Sequence, residues 1–130
     1  MLKIFTDGAY SSSRGQGGWS YIIIQDNKII SKQFFGEKNT TNNRMEMTAV
    51  LNAIKNTYKL NIPIEIYSDS MYVIGTLTMN WKRNKNNDLW ELFDKYDLKK
   101  YTFKHVKGHS DNSYNNLCDY LAVIGSNIIL

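Results

Sequence analysis

Apolar and polar residues alternate in the first third of the chain, and this period of two predicts strands. The pattern predicts a strand over residues 2–7, a loop rich in Ser and Gly over 8–18, a second strand over 19–25 and a third over 28–35. Asp26 and Asn27 provide a turn between the last two. Strands joined by turns this short are expected to be antiparallel neighbours.

The period then changes to that of a helix. Four apolar residues recur at spacings of three and four and form one stripe: Met47, Val50, Ile54 and Tyr58. Asn42 or Asn43 is expected to cap this helix, which ends before Pro63.

The second half of the chain alternates between strand and helix patterns. It predicts a strand over 62–68 that ends at Asp69, helices over 70–81 and 88–98, a strand over 101–106 and a helix over 115–124. Strands four and five are each reached through helical segments, so they are expected to lie parallel in the sheet. The predicted fold class is α/β, with a five-stranded mixed sheet of three antiparallel strands and then two parallel strands, flanked by helices.

Length and composition narrow the class of protein. The 130 residues fit one domain, and 42% of them are hydrophobic, which suffices for a core. No apolar run reaches the roughly 18 residues that a membrane span needs. The first strand begins at residue 2, leaving no room for a targeting peptide, and the single Cys118 fits a reducing compartment. We therefore expect a cytoplasmic protein with no membrane association.

Positive charge is concentrated in one segment. The net charge is only +4, but Trp81 is followed by Lys82, Arg83 and Lys85. Cations beside aromatic side chains are typical of a surface that binds a phosphate backbone. A solvated surface without a ligand is the alternative.

Acidic residues follow two strands and sit on two helices. Asp7 and Asp69 are placed at strand ends, Glu46 in the first turn of the helix before strand four, and Asp119 in the last helix. If strands one and four are parallel neighbours, these carboxylates converge, and their repulsion would favour a bound divalent cation such as Mg²⁺. Each acid alone is also ordinary for a surface or a turn, so spacing leaves both interpretations open.

Four short segments carry a family resemblance. They are Thr6-Asp7-Gly8, the run Thr-Thr-Asn-Asn-Arg-Met-Glu that ends at Glu46, Tyr67-Ser68-Asp69-Ser70 with Tyr72 and Val73, and Val106-Lys107-Gly108-His109 with Asn115 and Asp119. In kind and in order they resemble the signature segments of ribonuclease H, of type 1 and bacterial-like. The resemblance covers residues 2–122 and implies the ribonuclease H-like fold.

The resemblance also implies a reaction. In this family Asp7, Glu46, Asp69 and Asp119 would hold two Mg²⁺ ions, with Mn²⁺ as a substitute, and the enzyme would cut the RNA strand of an RNA–DNA hybrid. One ion would lower the pKa of the attacking water and the other would stabilise the leaving 3′ oxygen, giving 5′-phosphate and 3′-hydroxyl ends. His109 would shuttle a proton and assist product release.

Several residues match positions of the family that bind the substrate. Thr41 would bind a phosphate of the DNA strand, and Arg44 would support that contact. Asn42 and Asn43 would read the minor groove. Asn115 also matches a substrate-binding position. Glu46 would also accept a hydrogen bond from a ribose 2′ hydroxyl. Helix capping by the Asn pair is an alternative that does not exclude groove contacts.

The chain departs from its bacterial relatives at two places. Met71 stands where many have a Gln that contacts the groove, and the basic protrusion is shortened to residues 82–88. Lys82, Arg83 and Lys85, with Trp81, are expected to contact the hybrid, and the short protrusion predicts binding that is sensitive to salt. An equally good interpretation makes Trp81 and Trp90 core aromatics.

Three other functions remain open at this level. They are a resolvase or transposase of the same fold, a binding module without catalysis, and a ribonuclease H domain of a reverse transcriptase. The Asn-Asn-Arg-Met-Glu run and the four acids favour the hydrolase, which we expect to act as a standalone monomer.

Overall fold

The computed structural model of the protein describes residues 1–108 and 112–130. Within them, the strands are β1 (Leu2–Ser11), β2 (Gln16–Gln25), β3 (Lys28–Lys38), β4 (Ile64–Ser68) and β5 (Tyr101–His105). The helices are α1 (Asn42–Thr57), α2 (Met71–Thr78), α3 (Asn87–Phe93) and α4 (Ser113–Ser126).

The strands form one mixed sheet in the order β3-β2-β1-β4-β5. β1 and β2 pair antiparallel, as do β2 and β3, whereas β4 is parallel to both β1 and β5. This confirms the predicted α/β class and the division into three antiparallel and two parallel strands.

Two apolar layers hold the helices against the sheet. On one face Ile4 and Ile66 of the sheet pack with Val50 and Ile54 of α1. On the other face Phe5 and Ile22 pack with Cys118 and Leu121 of α4. Because successive residues of a strand point to opposite faces, adjacent residues such as Ile4 and Phe5 serve different layers.

The predicted loop over 8–18 is largely wrong. β1 continues to Ser11 and β2 begins at Gln16, so only residues 12–15 form the turn. The glycines that suggested a loop instead let helices lie close on the strands: a β-carbon on Gly8 would lie 2.5 Å from the backbone nitrogen of Glu46. A β-carbon on Gly18 would likewise lie 2.7 Å from the carbonyl carbon of Gly125 in α4.

The helix boundaries also differ from the prediction. Thr41 is the N-cap of α1, where its hydroxyl accepts a hydrogen bond from the backbone N–H of Arg44, so neither Asn42 nor Asn43 is the cap. α2 ends at Thr78, three residues earlier than expected, and α3 at Phe93, five residues earlier. α4 is longer, since Asn112 caps it ahead of Ser113.

The boundaries of β4 and β5 also differ slightly from the prediction. β4 begins at Ile64 rather than at residue 62, and β5 ends at His105. Across the described part of the chain, the helices are all too short or too polar to cross a bilayer.

Candidate active site

Asp7 and Asp69 are brought together by the register of β1 and β4. The parallel pairing matches Phe5 with Tyr67; Asp7 lies two residues further along β1, and Asp69 lies two residues further along the chain, just past the end of β4. Thr6 reinforces this junction by donating its hydroxyl hydrogen to the carbonyl oxygen of Tyr67, 2.9 Å away. Asp7 is not at the end of β1, as the sequence suggested: β1 continues to Ser11, and Asp7 lies two residues beyond Phe5, the last residue of β1 that pairs with β4.

Glu46 reaches the same place from α1. It lies in the second turn of that helix and not in the first, because the helix begins at Asn42. Its side chain is buried, and the lack of a side chain on Gly8 allows this turn of α1 to approach β1. One carboxylate oxygen from each of Asp7, Glu46 and Asp69 lies within 4.8 Å of the others.

The site is electrostatically strained in the absence of a cation. Burial and the neighbouring charge of Asp69 raise the pKa of Asp7 to about 8, although the N–H of Gly8 donates to its Oδ1 at 2.8 Å. Burial and the charges of Asp7 and Asp69 also raise the pKa of Glu46 well above its usual value. Bringing these carboxyls together therefore favours their protonated forms.

The donor atoms fit a hard cation. Asp7 Oδ2 and Glu46 Oε1 are buried and have no hydrogen-bond partner among the described residues. Buried polar atoms are rarely left without a partner in folded proteins, so these two oxygens fit a site that could hold a metal ion. An all-carboxylate set is what Mg²⁺ or Mn²⁺ prefers.

Asp119 joins the cluster from α4. It is partly buried, and its carboxyl is close enough to Asp7 for its negative charge to raise the pKa of Asp7. It is not one of the three residues whose oxygens lie within 4.8 Å of one another. All four predicted acids therefore approach one site, with Asp119 at its side.

Residues at and after the end of β5 lie beside Asp69, a contact that the sequence did not predict. The ladder continues past β5 through Val106, whose N–H donates to the carbonyl of Ser68 at 2.9 Å. His105 is exposed and places Nε2 3.2 Å from the carbonyl oxygen of Asp69. A β-carbon on Gly108 would lie 3.1 Å from Asp69 Oδ2, so this glycine leaves room for the carboxylate. The predicted proton shuttle, His109, lies outside the described residues.

The residues predicted to read the minor groove lie at the start of α1. Thr41, Asn42 and Asn43 are all exposed, five or fewer residues before Glu46. Arg44 is engaged differently from the expectation: its guanidinium binds Asp88 of α3 through two hydrogen bonds of 3.0 and 2.8 Å. It is therefore an internal contact of the protein in this structure.

The shortened protrusion is held on the body of the protein. Trp81 is 44% exposed and its ring packs over Gly75 of α2, where a β-carbon would lie 2.5 Å from the ring. Arg83 pairs with both oxygens of Asp94 at 2.9 and 2.8 Å and lies over the ring of Trp90. Lys82 and Lys85 are exposed. Trp90 is a core residue, as one interpretation held, but Trp81 is not.

Asn115 is not on the surface. It is 1% exposed, its backbone N–H donates to the Oδ1 of its N-cap Asn112, and its own Oδ1 has no partner among the described residues. Its burial leaves it no surface with which to touch a substrate directly in this structure.

Comparison with known proteins places this geometry in context. The family model for RNase H matches residues 1–127. The ribonuclease H of Acetivibrio thermocellus is 42% identical, with 93% of this chain and 91% of that protein aligned. The ribonuclease H of Treponema denticola is 38% identical, with 94% of both chains aligned.

Solved structures share the fold at low identity. RNase H1 from Halobacterium salinarum superposes with a TM-score of 0.76 at 24% identity, covering 95% of this chain and 96% of that one. LC11-RNase H1, solved in complex with an RNA/DNA hybrid, superposes with a TM-score of 0.80 at 16% identity, covering 98% and 97%.

Proposed function

Because the chain belongs to the ribonuclease H family, we propose that it is an endonuclease that hydrolyses the RNA strand of RNA–DNA hybrids. The observation that carries the proposal is the cluster of Asp7, Glu46 and Asp69, whose oxygens lie within 4.8 Å of one another. The complex of LC11-RNase H1 with a hybrid supports the choice of substrate.

We propose that the metal is Mg²⁺ and that Mn²⁺ can replace it. Two ions would bind when the substrate is present, and the residues that would hold them are Asp7, Glu46, Asp69 and Asp119. Bound divalent cations lower the pKa of water and neutralise developing charge on a phosphate and its leaving oxygen. The unpartnered oxygens of Asp7 and Glu46 support this assignment, since a cation would satisfy both. The products would carry 5′-phosphate and 3′-hydroxyl ends.

The chain's own residues orient the hybrid around this cluster. Thr41, Asn42 and Asn43 are exposed at the start of the helix that carries Glu46, so groove and phosphate contacts there would fix the ribose at the site. Glu46 would accept a hydrogen bond from the 2′ hydroxyl that separates RNA from DNA. His109 is proposed to carry a proton during the reaction and to assist product release.

The protrusion supplies a second contact to the hybrid. Trp81 offers an exposed aromatic face, and Lys82 and Lys85 offer cations to a phosphate backbone. Arg83 and Asn115, included in the substrate-binding set on resemblance, are proposed instead to support the site through internal contacts, because one is ion-paired and the other is buried.

We also propose that the chain forms one domain and acts as a monomer in the cytoplasm. The four carboxylates come from a single copy, so a second copy need not complete the site. The one cysteine is free and buried, which suits a reducing compartment.

Cleavage of a labelled hybrid in Mg²⁺, in Mn²⁺ and in chelator tests the function. We expect cleavage of the RNA strand with either ion, none with chelator, and none of duplex DNA or of a four-way junction under the same conditions. Preference for a junction would identify a resolvase instead, and tight hybrid binding without turnover would identify a binding module.

A further inference from the structure

Arg44 connects two parts of the protein that are far apart in sequence. Its Nη1 and Nη2 donate to the two carboxylate oxygens of Asp88 at 3.0 and 2.8 Å, and Nη1 also donates to Asn86 Oδ1 at 3.2 Å. The forked geometry matches guanidinium to carboxylate on both oxygens, which distinguishes it from an ordinary surface ion pair.

The contact extends into a small network around the end of the protrusion. Asn86 has a positive φ of 61°, a conformation that asparagine tolerates, and its amide donates to the hydroxyl of Tyr72 at 3.1 Å. That hydroxyl in turn lies 3.4 Å from the carbonyl oxygen of Lys85, to which it donates. The network therefore joins α1, α2 and the segment that precedes α3.

The two ends of this network carry different exposed groups. Arg44 directly follows Asn43, the last of the three exposed residues at the start of α1. Asp88 and Asn86 directly follow the segment with Trp81, Lys82 and Lys85, whose side chains are exposed. Neither surface lies on a strand in the described part of the chain, and α1 is joined to α2 and α3 by core packing and by the Arg44 contacts.

We propose that Arg44 and Asp88 are positioning residues that hold the start of α1 and the protrusion at the spacing a rigid hybrid duplex requires. This rests on the proposed function. A duplex cannot bend cheaply to meet two misplaced surfaces, so fixing their spacing before binding removes an ordering cost from each encounter. Arg44 thus acts on the substrate through the protrusion and does not contact a phosphate itself.

The test compares hybrids of two lengths. One hybrid spans the active site and the protrusion, and the other ends before the protrusion. Arg44→Ala and Asp88→Asn are each expected to raise KM for the long hybrid roughly fivefold, with kcat unchanged and little effect on the short hybrid. The exchanged pair, Arg44→Asp with Asp88→Arg, is expected to recover most of the lost affinity, whereas Arg44→Lys is not, because an ammonium cannot bind both oxygens.

Glu65→Gln serves as the matched control, since it breaks the 2.8 Å ion pair between Glu65 on β4 and Lys104 on β5, neither of which belongs to the start of α1 or to the protrusion. It should leave both KM values unchanged. A loss with Arg44→Ala but not with Asp88→Asn would overturn the proposal and make Arg44 a direct phosphate contact. Equal losses on both hybrids would also overturn it, in favour of a general structural role. Failure of the unaltered protein to cleave either hybrid would refute the proposed function instead.

Discussion

Asp7 on β1 and Asp69, which directly follows the end of the parallel strand β4, each lie two residues beyond the paired residues Phe5 and Tyr67. Pairing of the two strands therefore brings two carboxylates together despite their electrostatic repulsion. Burial and this repulsion raise the pKa of Asp7 to about 8, so the site is poised to exchange protons for a cation.

Asp7→Asn is expected to abolish cleavage of the hybrid in Mg²⁺ and to leave most hybrid binding intact. Asn has nearly the same shape but cannot supply a charged ligand, and loss of several kcal/mol of metal-assisted stabilisation lowers the rate roughly a thousandfold or more. Initial rates and a filter-binding assay in chelator measure the two properties. Near-normal activity of this variant would remove Asp7 from the metal site.

The metal-free protein should lose stability as pH rises from about 4 to about 8. Burial and neighbouring negative charge raise the pKa of Asp7 from its ordinary value of 3.8 to about 8 on folding, so across this window the folded state binds more protons. The loss is on the order of a few kcal/mol at most. Thermal unfolding in chelator at pH 5 and pH 8 measures it.

Two variants separate this effect from general acid titration. Asp7→Asn should be more stable than the parent at pH 8 and show a smaller change with pH. Glu91→Gln, an exposed carboxyl on α3, should follow the parent curve. Parallel curves for all three proteins would argue against a buried, protonated Asp7.

Divalent cations should raise the melting temperature without any substrate present. Binding to the folded state alone stabilises by about 2.7 kcal/mol when the free ion is at a hundred times its dissociation constant. Mg²⁺ and Mn²⁺ are expected to stabilise the parent protein but not Asp7→Asn, as followed by scanning calorimetry. An equal shift in both proteins would place the binding elsewhere.

Lys82 and Lys85 should each contribute about one unit to the slope of log K against log salt for hybrid binding. Each lysine that neutralises a phosphate releases about one counterion, so replacement by Ala reduces the slope of log K against log salt by about 1. Arg83→Ala should change the slope less, because Arg83 is already paired with Asp94. Binding titrations at several salt concentrations measure the slope, and a larger effect at Arg83 than at the lysines would reverse this assignment.

Gly8→Ala should destabilise the fold by roughly 1–3 kcal/mol and reduce activity. The added carbon would lie 2.5 Å from the backbone nitrogen of Glu46, so α1 must move away from β1 and carry Glu46 with it. Urea unfolding and initial rates measure the two effects. Ser12→Ala, in the exposed turn between β1 and β2, is the control; equal stability of both variants would mean that α1 does not rest on Gly8.

The periodic segments were predictable because their patterns are local. Met47, Val50 and Ile54 mark one face of a helix in the sequence itself, and all three are buried in the structure. The strand predicted over 62–68 forms over Ile64–Ser68 and is followed by Asp69; it was predictable because a short β-branched run before an acid and a serine is typical of a buried strand and a turn.

The glycines misled the prediction for the same reason. Gly8 and Gly18 are typical of loops when only neighbours in sequence are considered, yet both lie in long strands. Each glycine lies under a helix that is distant in sequence: Gly8 under α1 at Glu46, and Gly18 under α4 at Gly125. Close approach of two backbones leaves no local pattern.

The sequence by itself determined the order of elements, the four acids and the family, because these depend on hydrophobic periodicity and on short runs of specific residues. Only the tertiary structure decided which basic side chains form ion pairs within the protein and which stay exposed. Arg44 and Arg83 look like substrate contacts in the sequence, but each is paired with an acid more than ten residues away, while Lys82 and Lys85 stay exposed. Pairing of charges depends on distance in space, and distance in space is set only when the helices and the sheet have packed.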